Sequence, residues 1–154
     1  MYKKREIVEG AFYHVTSRTN NKIRAFETKP GRKIIEITLK EAKEKYKFQL
    51  TNFCIMPTHI HLLIKPKENT LLSNIMYQIK RYSTKRWNFS YCASDHLWGQ
   101  RYFSRVVKND SDYETVMNYI NQNPVKDGLA AAPEEWEFSG AYHKFHGLTD
   151  LLDY

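Results

Sequence analysis

Met56-Pro57-Thr58-His59-Ile60-His61-Leu62-Leu63-Ile64 is the stretch from which the fold can be read. A proline fits a turn or the first residue of a strand, and the run behind it alternates. On a strand, Ile60, Leu62 and Ile64 face one way while His59 and His61 face the other. One face is then a packed core and the other presents two imidazoles. Upstream, residues 48–56 also have strand character, so the tight Met56-Pro57-Thr58 connection predicts an antiparallel hairpin.

Working outward, Gly10 to Arg18 is rich in β-formers and reads as the first strand. After the Pro30-Gly31 start signal, Ile34, Ile35, Ile37, Leu39 and Ala42 predict an amphipathic helix over residues 31–46. A second helix is expected from about Leu71 to Asn88, with Leu72, Ile75, Met76, Ile79 and Tyr82 as its buried stripe, followed by an irregular stretch over 89–95 and a strand over 102–107. A third helix is expected to start near Ser111-Asp112, capped by Ser111 with Glu114 three residues on, and to end at Pro124 because the residue before a proline is pushed out of the helical region. The tail has no strong periodicity and should wrap the domain, with a short helix towards its end. The order β-α-β-β-α-β-α predicts an α+β fold: a ferredoxin-like, split βαβ antiparallel sheet with helices on one face and an additional C-terminal helix that bears Tyr119. The sheet's other face is left free to bind.

A chain of 154 residues is expected to form one domain over 1–154, with its core at about 8–142. Lys and Arg number 24 against 17 Asp and Glu, a formal charge of +7, which with abundant tyrosine suits a polyanion whose bases stack on aromatics; a solvated basic surface explains the same count. The second helix poses the same choice, because Lys80, Arg81, Thr84, Lys85 and Asn88 form either a solvated face or a phosphate-contacting one. Cys54 and Cys92 make neither a metal spacing nor a disulfide framework, and Cys54 reads as core. With no apolar leader or membrane-length run, the expectation is a soluble protein of the cytoplasm.

Two histidines on one strand face are half of a metal site or simply a hydrogen-bonded pair. Neither a structural-zinc cysteine set nor a His-Glu-x-x-His helix accompanies them. Tyr119 and Asn123 stand four apart and so share a helical face. Asn123 offers an amide oxygen that, with His59 and His61, suits Mg²⁺ or Mn²⁺ with positions left open. Neutral ligands leave the full charge available to a phosphate oxygen, beside which Tyr119 would stand as nucleophile. By residue type alone, core packing is the better explanation of Tyr119, and Asn123 before Pro124 is an ordinary helix stop.

Four stretches taken together, Gly10 to Arg18, Met56 to His61, Trp98-Gly99-Gln100-Arg101-Tyr102-Phe103 and Tyr119 to Leu129, resemble the successive motifs of the HUH single-tyrosine transposases, in particular the REP-associated tyrosine transposases. The resemblance implies a metal-dependent enzyme that nicks and joins single-stranded DNA. His59 and His61 match the His-hydrophobe-His pair, Asn123 the third-ligand position and Tyr119 the nucleophile, which would form a 5′-phosphotyrosine bond and release a 3′-hydroxyl. Insertion-sequence relatives use Gln or a similar residue in the third-ligand place and exchange the tyrosine helix between dimer partners. Asn-Pro at this position resembles the type that holds its helix in cis, and monomer or homodimer stays open. With no appended DNA-binding domain expected, hairpin or single-stranded DNA would be gripped by Lys3, Lys4, Arg5, Arg18, Lys80, Arg81, Lys85, Arg101 and Arg105. His14 is a candidate for contacting DNA or supporting a ligand, or a structural residue. The rival reading is a ferredoxin-like nucleic-acid-binding module without chemistry, and a third is a His-x-His metallohydrolase.

Overall fold

A computed structural model describes residues 4–154, so Lys3 lies outside the described residues. Strands β1 (Tyr13–Thr19), β2 (Gln49–Met56), β3 (His59–Lys65) and β4 (Trp98–Val106) form one antiparallel sheet in the order β2-β3-β1-β4. Helices α1 (Lys29–Tyr46) and α2 (Leu72–Tyr91) pack together on one face, α3 (Asp110–Lys126) lies on the other, and α4 (Gly140–Phe145) is a single short turn of the tail. This is the split βαβ architecture expected, and Met56 pairs with His59 across the Pro57-Thr58 turn as the hairpin required.

Alternation sorts the strands. Tyr13 and Val15 of β1, with Ile60, Leu62 and Ile64 of β3, join Ile35 and Leu39 of α1 and Ile75, Met76 and Ile79 of α2 in the main core. Gly31 is required in α1 because a Cβ there would stand 2.4 Å from the carbonyl oxygen of Ala25. The face opposite is half covered rather than free: Val116 and Ile120 of α3 bury Cys54, Met56 and Leu63 on β2 and β3. Buried Asn52 fastens that helix, since its Nδ2 donates to Asn121 Oδ1 at 2.8 Å.

Several boundaries depart from expectation. The first strand starts at Tyr13 rather than Gly10, and α2 runs through the stretch expected to be irregular, as far as Tyr91. Its buried stripe continues through Ser83 instead of Tyr82, because Ser83 Oγ accepts a 2.8 Å bond from Trp98 Nε1 while itself donating to the Ile79 carbonyl. Strand β4 begins four residues early, at Trp98, where a register shift after Ser17 lets Thr19 pair with that residue. Asn109 rather than Ser111 caps α3, accepting from the Asp112 amide at 2.9 Å. Pro124 does not end the helix. Its missing N–H falls in the last turn, and the chain continues to Lys126 before Gly128, at φ +70°, turns it out.

The tail seals the outer edge of β2. Ile55 donates to the Phe138 carbonyl, Cys54 bridges to Ser139, Trp136 Nε1 donates to the Ile55 carbonyl, and Asp153 exchanges hydrogen bonds with Leu50. Lys43 pairs with Asp153 at 2.7 Å and buried Leu151 and Leu152 enter the core. At the opposite edge, β4 has no strand beyond it among the described residues. There, Lys80 donates to the Gly99 carbonyl and Arg5 to that of Tyr102.

Candidate active site and nucleic-acid surface

The face of the sheet that carries α3 is set by the same alternation. His14, Thr16 and Arg18 on β1 lie opposite Leu63, His61 and His59 on β3, and His14 and Thr16 lie opposite Arg105 and Phe103 on β4. One row therefore reads Cys54, His61, Thr16, Phe103 from one edge to the other. Because α3 covers only the β2 and β3 half, Tyr119 stands at its border, 45% exposed, with ring centroids 5.6 Å from both His14 and His61. The helix lies on the sheet of its own chain.

His59 and His61 are buried at right angles to each other, their centroids 4.9 Å apart. Each has one ring nitrogen engaged: Thr58 Oγ1 lies 3.1 Å from His59 Nδ1, and Thr16 Oγ1 and His14 Nε2 lie 3.0 and 3.2 Å from His61 Nδ1. His61 Nε2 is buried without a hydrogen-bond partner. Burial first, then the neighbouring His59, His14 and Arg18, pushes His61 down to about 3, and Asn123 opposes the shift. His14 is pushed down to about 4 by burial and then by Arg105, with Asp112 opposing. His59 moves the same way through burial and Arg18, against Asn123 and Asp127. At neutral pH these rings are uncharged and can act as ligands or hydrogen-bond partners.

Asn123 is buried one helical turn below Tyr119. Its Nδ2 donates to the Tyr119 carbonyl at 3.1 Å, leaving Oδ1 for the imidazoles, and hydrogen bonding from its side chain raises the pKa of both His59 and His61 against the effect of burial. Two neutral imidazoles held through Nδ1, an orphaned buried Nε2 and an amide oxygen make a donor set that fits a divalent metal ion. Among the described residues no group of three His, Cys, Asp or Glu side chains forms a metal site, so a metal here depends on the Asn123 amide oxygen as third donor.

The expected DNA-contacting cations divide between two surfaces. Lys4, Arg5, Lys80, Arg81, Lys85, Arg101 and Arg105 all line a cleft of about 1570 Å³ between α2, β4 and the N-terminal segment. Some of their hydrogen-bonding capacity is already engaged: Arg5 stacks on Tyr102 at 3.7 Å, Arg81 donates to Tyr77 Oη, and Lys80 is held by Gly99. Arg18 belongs instead to a hollow of about 760 Å³ on the site face, shared with Arg101, Phe103, Arg105, His14, His61 and Tyr119. Arg105 is clamped by Asp112 through two 2.9 Å bonds, and that guanidinium, with the Lys108 amide, holds the Asp112 carboxyl down to about 2.

Sequence reasoning missed Thr16, Thr58 and Asp112 as supports of the site. Thr16 was within reach, because strand alternation places it between His14 and Arg18. Its contact with His61 depends on strand register, which no local signal carries.

Residues 7–123 match the family model described as Transposase IS200 like. A REP-associated tyrosine transposase of Escherichia coli is 22% identical over 144 residues, covering 93% of this chain and 82% of that protein. A Haemophilus influenzae relative is 24% identical over 151 residues, covering 92% and 85% respectively. A solved REP-associated tyrosine transposase bound to a REP hairpin shares the fold, with a TM-score of 0.82 at 21% identity over 100% of this chain and 92% of that one.

Proposed function

The chain belongs to the IS200-like transposase family, and from that premise we propose that it nicks and rejoins single-stranded DNA at hairpin-flanked sites through a Tyr119 5′-phosphotyrosine intermediate. The observation that carries the reading is the convergence of His59, His61 and Asn123 one helical turn from an exposed tyrosine whose ring abuts His61. The hairpin is taken from the relative solved with a REP hairpin, and the basic cleft beside β4 is a suitable place for its stem.

His59 and His61, through Nε2, and Asn123, through Oδ1, would hold Mg²⁺ or Mn²⁺. Such an ion supplies Lewis-acid stabilisation of a phosphate in displacement. Thr58, Thr16 and His14 fix the ring orientations of the two histidines. Tyr119 Oη attacks the phosphorus in line, the bond to the 3′-oxygen breaks, and the phenol proton is lost as the leaving 3′-oxygen takes one up. The phosphotyrosine ester conserves the energy of the broken bond, so a 3′-hydroxyl reverses the step and joins strands without a nucleotide cofactor. With α3 packed against β2 and β3 of the same chain, no exchange of the tyrosine helix between partners is required.

The test is a denaturing gel of end-labelled single-stranded hairpin DNA incubated with protein and Mn²⁺. A downstream strand linked to the protein through its 5′-phosphate and a released upstream strand ending in a free 3′-hydroxyl are expected, and Tyr119→Phe should bind the same DNA yet give no adduct. A free 5′-phosphate with no linked strand would favour a metallohydrolase, and binding without any cleavage would favour a non-catalytic module.

A further inference from the structure

We propose that Phe103 is a stacking platform for an unpaired base next to the scissile phosphate, so that the site grips its substrate through one splayed nucleotide as well as through backbone charge. The inference rests on the reading of the site given above and names how the single strand is held there. Phe103 is a large aromatic left 56% exposed on the open half of the site face. Its strand partner is Thr16, which contacts His61 Nδ1, so Phe103 stands two strands from the histidine, roughly 10 Å across the sheet at the usual strand spacing. Among the described residues its aromatic neighbour is His14, which meets it edge-on with centroids 6.3 Å apart at 81°, and Phe103 lines the hollow that also contains Tyr119.

The surroundings fit a nucleotide rather than an apolar partner. Arg101 and Arg105 flank Phe103 two residues away on the same strand face, and Arg18 lines the same hollow. Arg105 is neutralised by Asp112, whereas Arg18 has no carboxylate partner among the described residues. A phosphate passing Arg18 and Arg101 towards Tyr119 would bring its base over Phe103. An aromatic between cations in an open hollow has the chemistry of single-strand recognition, in which stacking tolerates any base and arginines follow the backbone. Duplex DNA could not use it, because its bases are stacked on each other.

The experiment compares three single strands of about twelve nucleotides, a length typical of single-strand sites: oligo(dA), oligo(dT) and an abasic strand with the same phosphates. Affinity is measured by fluorescence anisotropy with Mn²⁺ at fixed salt. The wild-type protein should bind oligo(dA) about tenfold more tightly than the abasic strand. Phe103→Leu should lose most of that preference while binding the abasic strand as before, and Phe103→Trp should keep it. The new indole should also be quenched by oligo(dA) and not by the abasic strand. A Phe103→Leu protein that keeps the wild-type preference, or a wild-type protein with no preference for bases, overturns the proposal. Neither readout needs cleavage, so loss of the adduct assay would sink the phosphotyrosine reading and leave the base preference standing.

Discussion

Acidifying the metal-free protein should unfold it in a window set by its buried histidines. His14 and His61 are held neutral in the folded chain, at about 4 and about 3, whereas in the unfolded chain both return to the ordinary value of 6.5. Below 6.5 the unfolded state therefore binds protons that the folded state refuses, so stability falls as pH falls and is regained as it rises. From about pH 7.5 to about pH 5 each ring accounts for roughly 2 kcal/mol, or about 4 kcal/mol for the pair. His59 and His143, both also lowered by burial, act in the same direction. Asp112 and Asp150 do not interfere, because a depressed carboxyl contributes stability that is lost only as pH falls below its unfolded value of 3.8. Urea unfolding followed by tryptophan fluorescence in EDTA, repeated across this range, reads the effect directly. His14→Gln should remove about half of the slope contributed by the pair. A stability that stays level down to pH 5, or a His14→Gln protein with the wild-type slope, would show that the folded cluster accepts protons and would refute the electrostatic argument.

Other perturbations test the supports of the site and the frame. Thr16→Val removes an oxygen 3.0 Å from His61 Nδ1 and should weaken Mn²⁺ binding by about tenfold, measured by calorimetry, with little change in melting temperature. Asn52→Leu deletes the amide that joins β2 to Asn121 on α3; a loss of about 1–3 kcal/mol is expected, with faster hydrogen exchange concentrated in residues 110–126. Gly31→Ala pushes a methyl group against the Ala25 carbonyl and should cost about 1–3 kcal/mol in chemical denaturation.

What the sequence disclosed follows the range of its signals. Alternation in residues 59–62 indicated the strand and the face of each histidine, and the stripes of α1 and α2 reported the helices because burial there repeats with the helical period. Tyr119 and Asn123 were legible as a pair because four residues return to the same side of a helix. Pro124 misled because it removes only one hydrogen bond, and in a last turn that loss is small. Ser83 escaped notice as a buried residue because its hydroxyl is satisfied by Trp98, fifteen residues away. Thr16 and Asp112 support the site only once β1 is placed between β3 and β4, and that placement is a property of topology. The basic surface was found by composition, but its division into a cleft beside α2 and a hollow beside Tyr119 was not.

The two edges of the sheet carry a consequence for how the molecule is made. Strand β2 is complete once residue 56 has been synthesised, yet its outer edge is sealed by residues 136–153, which begin eighty residues later. A nascent chain from which residues 136–153 have not yet emerged thus exposes an unpaired strand rich in Phe53, Cys54 and Ile55, the kind of template on which chains join edge to edge. At β4, by contrast, Lys80 has been made before its strand, and both Arg5 and Lys80 are ready to take carbonyls of the free edge as it emerges. Ribosome-bound chains halted near residue 130 should therefore self-associate through the β2 side, and those extended past residue 153 should not.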